Sequence, residues 1–459
     1  MSRLSTYTLT FNCARLPVKP LVLASHLFDA LRDPQHPPSI LVLCLQEIAP
    51  INSSFLGGSY LQCYLEEFKK AVDIAGTSLN GASYVNIVNR NVGMTVMMVF
   101  VLREQTKRVK SLQTAEVGVG WLEMGNKGAV GVRMEIKTQE DEAPVSLTFV
   151  SVHLAPMEWN VKRRNEDWRN IVRRLVFEPV SYSSLSRSRK HRLYDTASSD
   201  PGTKPLLSPD DHDDAPSKDQ LQGIYTPTSY LVLAGDLNYR TGSAAPNQIE
   251  QHRFPQPCED ESYPRHYWHL LSSDQLEAER KTGRTMHGLK EAPVEFPPTY
   301  KYSDSARSKL QSGELKAEDM DDEESGSWEW AEHRWPSWCD RVLYLDIPSW
   351  MDSTKQVKIN GYKALPLMAS SDHRPVACSL DLPHEAIASP TLEQQKAGGV
   401  RCNPPFKIDP YWKGRRRRAR AGEIVAGITI SLVTTWRFLV VLLLTAIIVI
   451  VGQWFSDPV

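Results

Sequence analysis

The sequence predicts an α/β domain, and three observations carry that reading. Short apolar runs of strand length recur along most of the chain, helix-like stretches lie between them, and chemically capable polar residues sit where the runs end. The strand-like runs occupy residues 40–45, 96–102, 147–154, 230–234, 342–345 and 376–380, and a further strand is expected almost from the first residues. Helix-like stretches occupy 60–72 and 161–176. Composition agrees: 41% hydrophobic and 23% charged residues exclude a wholly disordered, collagenous or polytopic membrane chain. Lys and Arg number 53 against 54 Asp and Glu, so no nucleic-acid partner held by bulk charge is expected. Seven scattered cysteines without a CxxC pair argue for a reduced, cytosolic chain and against a structural zinc site.

Two segments lack the apolar residues that would offset ordering entropy and are read as disordered surface loops. Residues 181–222 are rich in Ser, Asp, Pro and Lys, and 303–326 contain an acidic run over 318–324 broken only by Met320. Residues 383–414 are read as a linker, a flexible coil of roughly 30 Å. A basic segment follows over 415–423, with Arg415, Arg416, Arg417, Arg418 and Arg420. An apolar tail, 424–455, then ends the chain. Its last 18 residues, 438–455, would form a helix of about 27 Å, close to the hydrocarbon core of a thin bilayer. Trp436 and Trp454 flank it, and Arg437 can snorkel. The expectation is a C-terminal transmembrane helix over about 437–455. It would make a single-pass tail anchor with residues 1–382 facing the cytosol, most simply at the endoplasmic reticulum.

The polar residues at strand ends share one inventory. The run at 40–45 leads into Glu47, that at 147–152 into His153, that at 230–234 into Asp236 and Asn238, and 364–371 into Asp372 and His373. Charged groups just past buried strands are the usual site placement in α/β sheets. Carboxylates, an amide and imidazoles, with no Ser elbow or CxxxxxR loop, suit a hard cation and an activated water.

Ten motifs in chain order carry a specific resemblance. They are TFNCAR (10–15), LQEI (45–48), MGNKGAVGVR (124–133), HLAP (153–156), RRNEDW (163–168), GDLNYR (235–240), DQL (274–276), FPPTYKY (296–302), PSWCDRVLY (336–344) and SDHRPV (371–376). This set resembles the inositol polyphosphate 5-phosphatase family of the exonuclease–endonuclease–phosphatase superfamily. The resemblance implies a two-sheet β-sandwich flanked by helices, a four-layer fold with the site at one end. It implies Mg²⁺ held by Glu47 and Asn12 with Asp372 beside it, and a water oriented by Asp236 and Asn238. His373, fixed by Asp340, and His153 would contact the phosphate. Asn126, Lys127, Tyr300, Lys301 and Arg341 match positions that meet neighbouring inositol phosphates, with Arg334 a weaker candidate. The chain departs from the family in TFNCAR, which lacks the usual Gly and Trp, and in Pro156 and Met157. These changes bear on specificity more than on the catalytic set. The implied activity is Mg²⁺-dependent hydrolysis of the 5-phosphate of phosphatidylinositol 4,5-bisphosphate. The alternatives are the 3,4,5-trisphosphate lipid, soluble inositol polyphosphates or a nuclease. The expected partners are the phosphoinositide substrate and the membrane, with no protein partner indicated.

Overall fold

The structure, a computed structural model, describes residues 3–138, 142–180, 221–322, 326–434, 440, 443–449 and 453. Two mixed sheets pack face to face. The first has the order β12 (Lys358–Ala364), β13 (Val376–Pro383), β1 (Arg3–Asn12), β2 (Ile40–Gln46), β4 (Thr95–Leu102), β3 (Tyr84–Val92). The second runs β10 (Leu289–Lys290), β11 (Asp340–Leu345), β9 (Ser229–Asp236), β7 (Val145–His153), β6 (Gly128–Ile136), β5 (Val109–Gly118), β8 (Glu178–Pro179). Each sheet has one parallel pair near its middle, β1 with β2 and β7 with β9, and the other neighbours are antiparallel.

The strands form because their residues are needed on two faces at once. Every residue of β2, β4 and β9 is buried, which is why they read as continuous apolar runs. One face of each sheet meets the other sheet in a core that includes Val42, Val99, Val132, Phe149, Val232 and Val376. The outer face of the first sheet is covered by the helix Ser59–Ser78, which buries Leu61, Leu65, Phe68, Val72 and Ala75 at helical spacing. The outer face of the second is covered by Val161–Arg174 through Trp168, Ile171 and Val172. Truncating the fully buried Trp168 to Ala would cost about 3–5 kcal/mol.

Register places the site. Asn12 pairs with Gln46, so Asn12 and Glu47 end adjacent strands. Asp236 lies opposite both His153 on β7 and Asp340 on β11. Gly128 lies opposite His153, which sets Lys127 at the same end.

Three organisational expectations are corrected. The acidic insertion is ordered over its described part: Asp304–Ser312 is a helix, Met320 is buried against Tyr302 and Trp328, and Asp321 pairs with Arg374. Residues 383–414 are no flexible coil. They form the short helices Leu392–Ala397 and Gly399–Cys402, and buried Arg401 donates to the carbonyls of Ser229 (2.7 Å) and Asp346 (2.6 Å). The basic segment belongs to a helix, Trp412–Thr434, whose Arg415 and Arg416 pair with Glu123 and Glu116 on the second sheet's side. Of the earlier insertion, 181–220 lie outside the described residues. So does most of the expected span at 437–455, and among the described residues no helix is long and apolar enough to cross a membrane.

Candidate active site

The site is built around Asp236, which is almost wholly buried at the end of β9. Its Oδ2 accepts from the amide of Asn12 across the sandwich at 2.9 Å, and its Oδ1 accepts the backbone N–H of Asn238 at 3.0 Å. The nearest His153 nitrogen, Nε2, lies 3.4 Å from Oδ2. Asn238 has φ of +57°, a conformation asparagine tolerates better than most residues. That bend lets its side chain donate to the Leu154 carbonyl at 3.1 Å and accept from Arg240 at 2.5 Å. On the other sheet, Glu47 also takes a positive φ, +46°, just past β2. A glutamate there stores strain of roughly 1–2 kcal/mol, as functional turns often do. Its carboxylate meets Arg15 at 3.0 Å and Lys127 at 3.5 Å, and Lys127 Nζ lies 2.5 Å from His153 Nε2.

A second arm closes from β11 and β13. His373 donates from Nδ1 to Asp340 Oδ2 at 2.8 Å, since an ionised carboxylate can only accept. The same oxygen accepts from Thr299 at 2.7 Å. Ser371 accepts the His373 backbone N–H at 3.0 Å and donates to the Asn12 carbonyl at 2.6 Å, tying this arm to the first. The Tyr300 ring sits 4.5 Å from the His373 ring, and the Arg240 guanidinium carbon lies over the Tyr300 ring at 4.2 Å.

The charges follow from these contacts. Burial presses His373 toward neutrality, but the charge and hydrogen bond of Asp340, with Asp236 and Asp372 beyond, raise its pKa to about 9. Burial also opposes ionisation of Asp236, yet His153, His373 and Lys127 hold its pKa below the ordinary carboxylate range. In Glu47 the same burial is outweighed by Lys127, His153 and Arg15, and the pKa falls. His153 is lowered by burial and by Lys127, so it is neutral at pH 7. The site thus presents ionised Asp236 and Glu47, an imidazolium at His373 and a neutral imidazole at His153.

Of the residues expected from sequence, Asn12, Glu47, Lys127, His153, Asp236, Asn238, Tyr300, Asp340 and His373 come together. Asn126 stands beside Lys127 with its Oδ1 buried and unpartnered. Lys301 and Asp372 pair with each other at 3.0 Å. Arg334 leans on Met157 Sδ at 3.1 Å and on Glu158 at 3.7 Å. Arg341 is a correction: it is buried with three nitrogens donating to Glu291 (2.6 and 2.7 Å) and Asp274 (2.9 Å), on the strand face opposite Asp340. Four contributors were not singled out: Arg15, Arg240, Thr299 and Ser371. All lie inside or beside the quoted motifs, which was the available signal.

Among the described residues no group of three or more His, Cys, Asp or Glu forms a metal cage. The donors still fit a magnesium ion, which keeps several waters and needs only one or two carboxylates. Glu47 supplies one. The Asn12 amide oxygen, which accepts the Ala14 N–H at 3.1 Å, retains a second lone pair.

Paired sheets with carboxylate, amide and imidazole groups gathered at one end define a protein of the endonuclease/exonuclease/phosphatase type. The chain belongs to the Endonuclease/Exonuclease/phosphatase family 2, whose pattern matches residues 9–379. Its curated relatives are inositol polyphosphate 5-phosphatases. Type I inositol polyphosphate 5-phosphatase 13 of Arabidopsis thaliana is 27% identical over 359 residues, which is 75% of this chain and 27% of that protein. Polyphosphatidylinositol phosphatase INP53 of Saccharomyces cerevisiae is 27% identical over 344 residues, 74% of this chain and 23% of that protein. The chain therefore spans about a quarter of the length of these relatives. Among solved structures, the inositol polyphosphate 5-phosphatase domain of spSynaptojanin, in complex with inositol (1,4)-bisphosphate and calcium ion, shares the fold. The TM-score is 0.53 at 20% identity, covering 92% of this chain and 93% of that one.

Proposed function

We propose that the chain removes the 5-phosphate from phosphatidylinositol 4,5-bisphosphate, yielding phosphatidylinositol 4-phosphate and inorganic phosphate. The observation that carries the reading is the convergence of Asp236, Asn12, His153 and Lys127 with the Asp340–His373 pair on one buried end of the sandwich. In this reading Asp236 orients a water and takes its proton, and Asn238 holds the Asp236 turn. The water oxygen bonds to phosphorus as the bond from phosphorus to the inositol 5-oxygen breaks, and that oxygen leaves protonated from solvent. His373 donates from Nε2 to a phosphoryl oxygen while Asp340 fixes its ring. Lys127, Tyr300 and Lys301 meet the neighbouring phosphates. Mg²⁺, held by Glu47 and Asn12, would supply positive charge to the phosphoryl oxygens. No side chain is phosphorylated, so rapid quench should trap no phosphoenzyme.

The membrane part of the proposal rests on the apolar composition of 424–455 and on exposed Ile428, Leu432 and Val433 at the end of the C-terminal helix. Such a surface is poorly suited to water. We place the catalytic domain on the cytosolic face of the endoplasmic reticulum, a placement that imaging of the full chain and of one lacking 435–459 would test. The decisive assay for the activity is phosphate release from a panel of defined phosphoinositides and soluble inositol phosphates. Release from the 4,5-bisphosphate with Mg²⁺, and none after chelation, is expected. Preference for the 3,4,5-trisphosphate or for soluble substrates would change the substrate, and cleavage of an abasic duplex would replace the reading.

A further inference from the structure

We propose that Glu423, on the C-terminal helix, is a positioning residue for this site, and that it acts by holding the turn that carries Lys127. The inference rests on the reading above, in which Lys127 meets a phosphorylated ring.

Glu423 is the only acidic residue in the sequence between Asp409 and Asp457, amid five arginines and an apolar tail. Its side chain is fully buried against the domain. Arg416 donates to both its oxygens, at 2.7 and 3.3 Å, and Arg420 to Oε2 at 3.1 Å. Those two cations would satisfy a carboxylate whose task was to pin the helix. Glu423 does more: Oε1 also accepts the backbone N–H of Gly125 at 2.9 Å. That N–H is buried, and without this acceptor it would stand unpaired, which folded proteins seldom allow.

The turn is held from its other side as well. Gly125 accepts from the Met94 N–H at 2.9 Å, in the hairpin between β3 and β4. A Cβ on Gly125 would come within 2.6 Å of the Gly93 nitrogen, so the two backbones are in direct contact. Met94 in turn accepts from the N–H of Ile48, next to Glu47, at 3.5 Å. The Gly125 peptide is therefore clamped between the C-terminal helix and the hairpin. Two residues further on, Lys127 reaches His153 and Glu47. The helix has its own footing, with Arg420 bound to the carbonyls of Phe55 and Leu56 and Asn52 donating to Ser431 at 3.1 Å. Loss of Glu423 frees one side of the clamp, and a displacement of about 1 Å at a substrate cation is enough to weaken binding strongly.

The test uses the full chain in detergent with a water-soluble inositol polyphosphate, so that membrane attachment is not a variable. Glu423→Ala should raise KM roughly tenfold with kcat within about threefold, and amide exchange at Gly125 should quicken. The double variant Glu423→Ala/Lys127→Ala should be no worse than Lys127→Ala alone. A purely structural helix anchor predicts the contrary, multiplying effects or an unchanged KM, and either result overturns the proposal. If Glu423→Ala does not fold, Glu423→Asp decides. Its shorter side chain keeps a carboxylate for the arginines but withdraws the acceptor from Gly125, and its KM should rise about threefold only while Lys127 is present; an unchanged KM overturns the proposal. Should the wild-type chain release no phosphate from any inositol phosphate, the functional reading fails, and unchanged Gly125 exchange in the alanine variant would separately sink the clamp.

Discussion

Asp340 and Arg341 are neighbours on β11, yet they belong to two kinds of buried charge. Asp340 faces the site, where polar capacity is left over: its own Oδ1, His153 Nδ1, Asn126 Oδ1 and Arg240 Nη1 are buried without a partner. Arg341 faces the other way into a network in which Glu291, Asp274 and the Trp338 carbonyl take its three nitrogens, and Tyr362 donates to Glu291 at 2.7 Å. Native proteins rarely leave buried polar atoms unpaired. A cluster of them at one end of the sandwich marks where a ligand completes the bonding, whereas a cation whose every nitrogen is paired marks structure, even though one oxygen of its partner Asp274 is left over.

The sharpest test of this contrast pairs one residue from each face. Asp236→Ala should lower kcat about 10⁴-fold, a loss far beyond any stability cost of leaving the Asn12 amide, His373 and Lys127 without their shared carboxylate. Phosphate release and denaturant unfolding measure the two. Arg341→Met should do the reverse. It strands Glu291 and Asp274 in the interior, at a cost of about 3–5 kcal/mol, while the folded fraction turns over at nearly the wild-type rate. A variant of Arg341 that folds as well as wild type but has lost turnover would return this residue to the site and break the contrast.

A smaller effect comes from pH. With its pKa raised to about 9, His373 is an imidazolium at neutral pH, and that is the form that donates to phosphate. The profile of kcat/KM should therefore stay flat through neutrality and fall above about pH 9. The same shift has a stability consequence. Because the folded pKa lies above that of a free imidazole, the stabilisation by Asp340 is fully present below about pH 6.5 and is lost as pH rises through the folded value. Asp340→Asn removes the charge that raises it, so the alkaline limb should move down by about 1–2 pH units. An unmoved limb would assign the transition to another group.

Much of the site was legible in the sequence because strands that end beside a parallel partner deliver their last residues to one place. Glu47, His153 and Asp236 each follow an apolar run, and the register then aligns them. The Arg341 misreading has a physical lesson. Side chains alternate along a strand, so once Asp340 is assigned to the site its neighbour is directed to the opposite face. Motif membership concealed that parity. The region after residue 383 was misjudged for another reason. Its Pro, Gly and Ala content shows no periodicity, but Arg401, Trp412 and Glu423 are buried by contacts with distant strands and loops, which local composition does not record.

The smallest predicted effect separates the two regions where they come closest. Arg374 follows His373 directly and is buried, and its guanidinium is paired bidentately with Asp321 of the acidic insertion at 2.7 and 2.8 Å. Its Nε donates to the Leu365 carbonyl at 2.8 Å, and its backbone N–H to Thr299, which also bonds Asp340. By the reasoning applied to Arg341 this is a saturated, structural cation, even though it adjoins the catalytic imidazole. The Asp321 side chain is 40% exposed, so solvent screens the pair and lets water replace part of it. Asp321→Asn should then cost only about 1 kcal/mol, lowering Tm by roughly 2 °C, with turnover within about threefold of wild type. Calorimetry and phosphate release on the same sample check both numbers. A loss of turnover far beyond the loss of stability would show that the insertion positions His373 through Arg374, and the line between site and scaffold would have to be redrawn to include it.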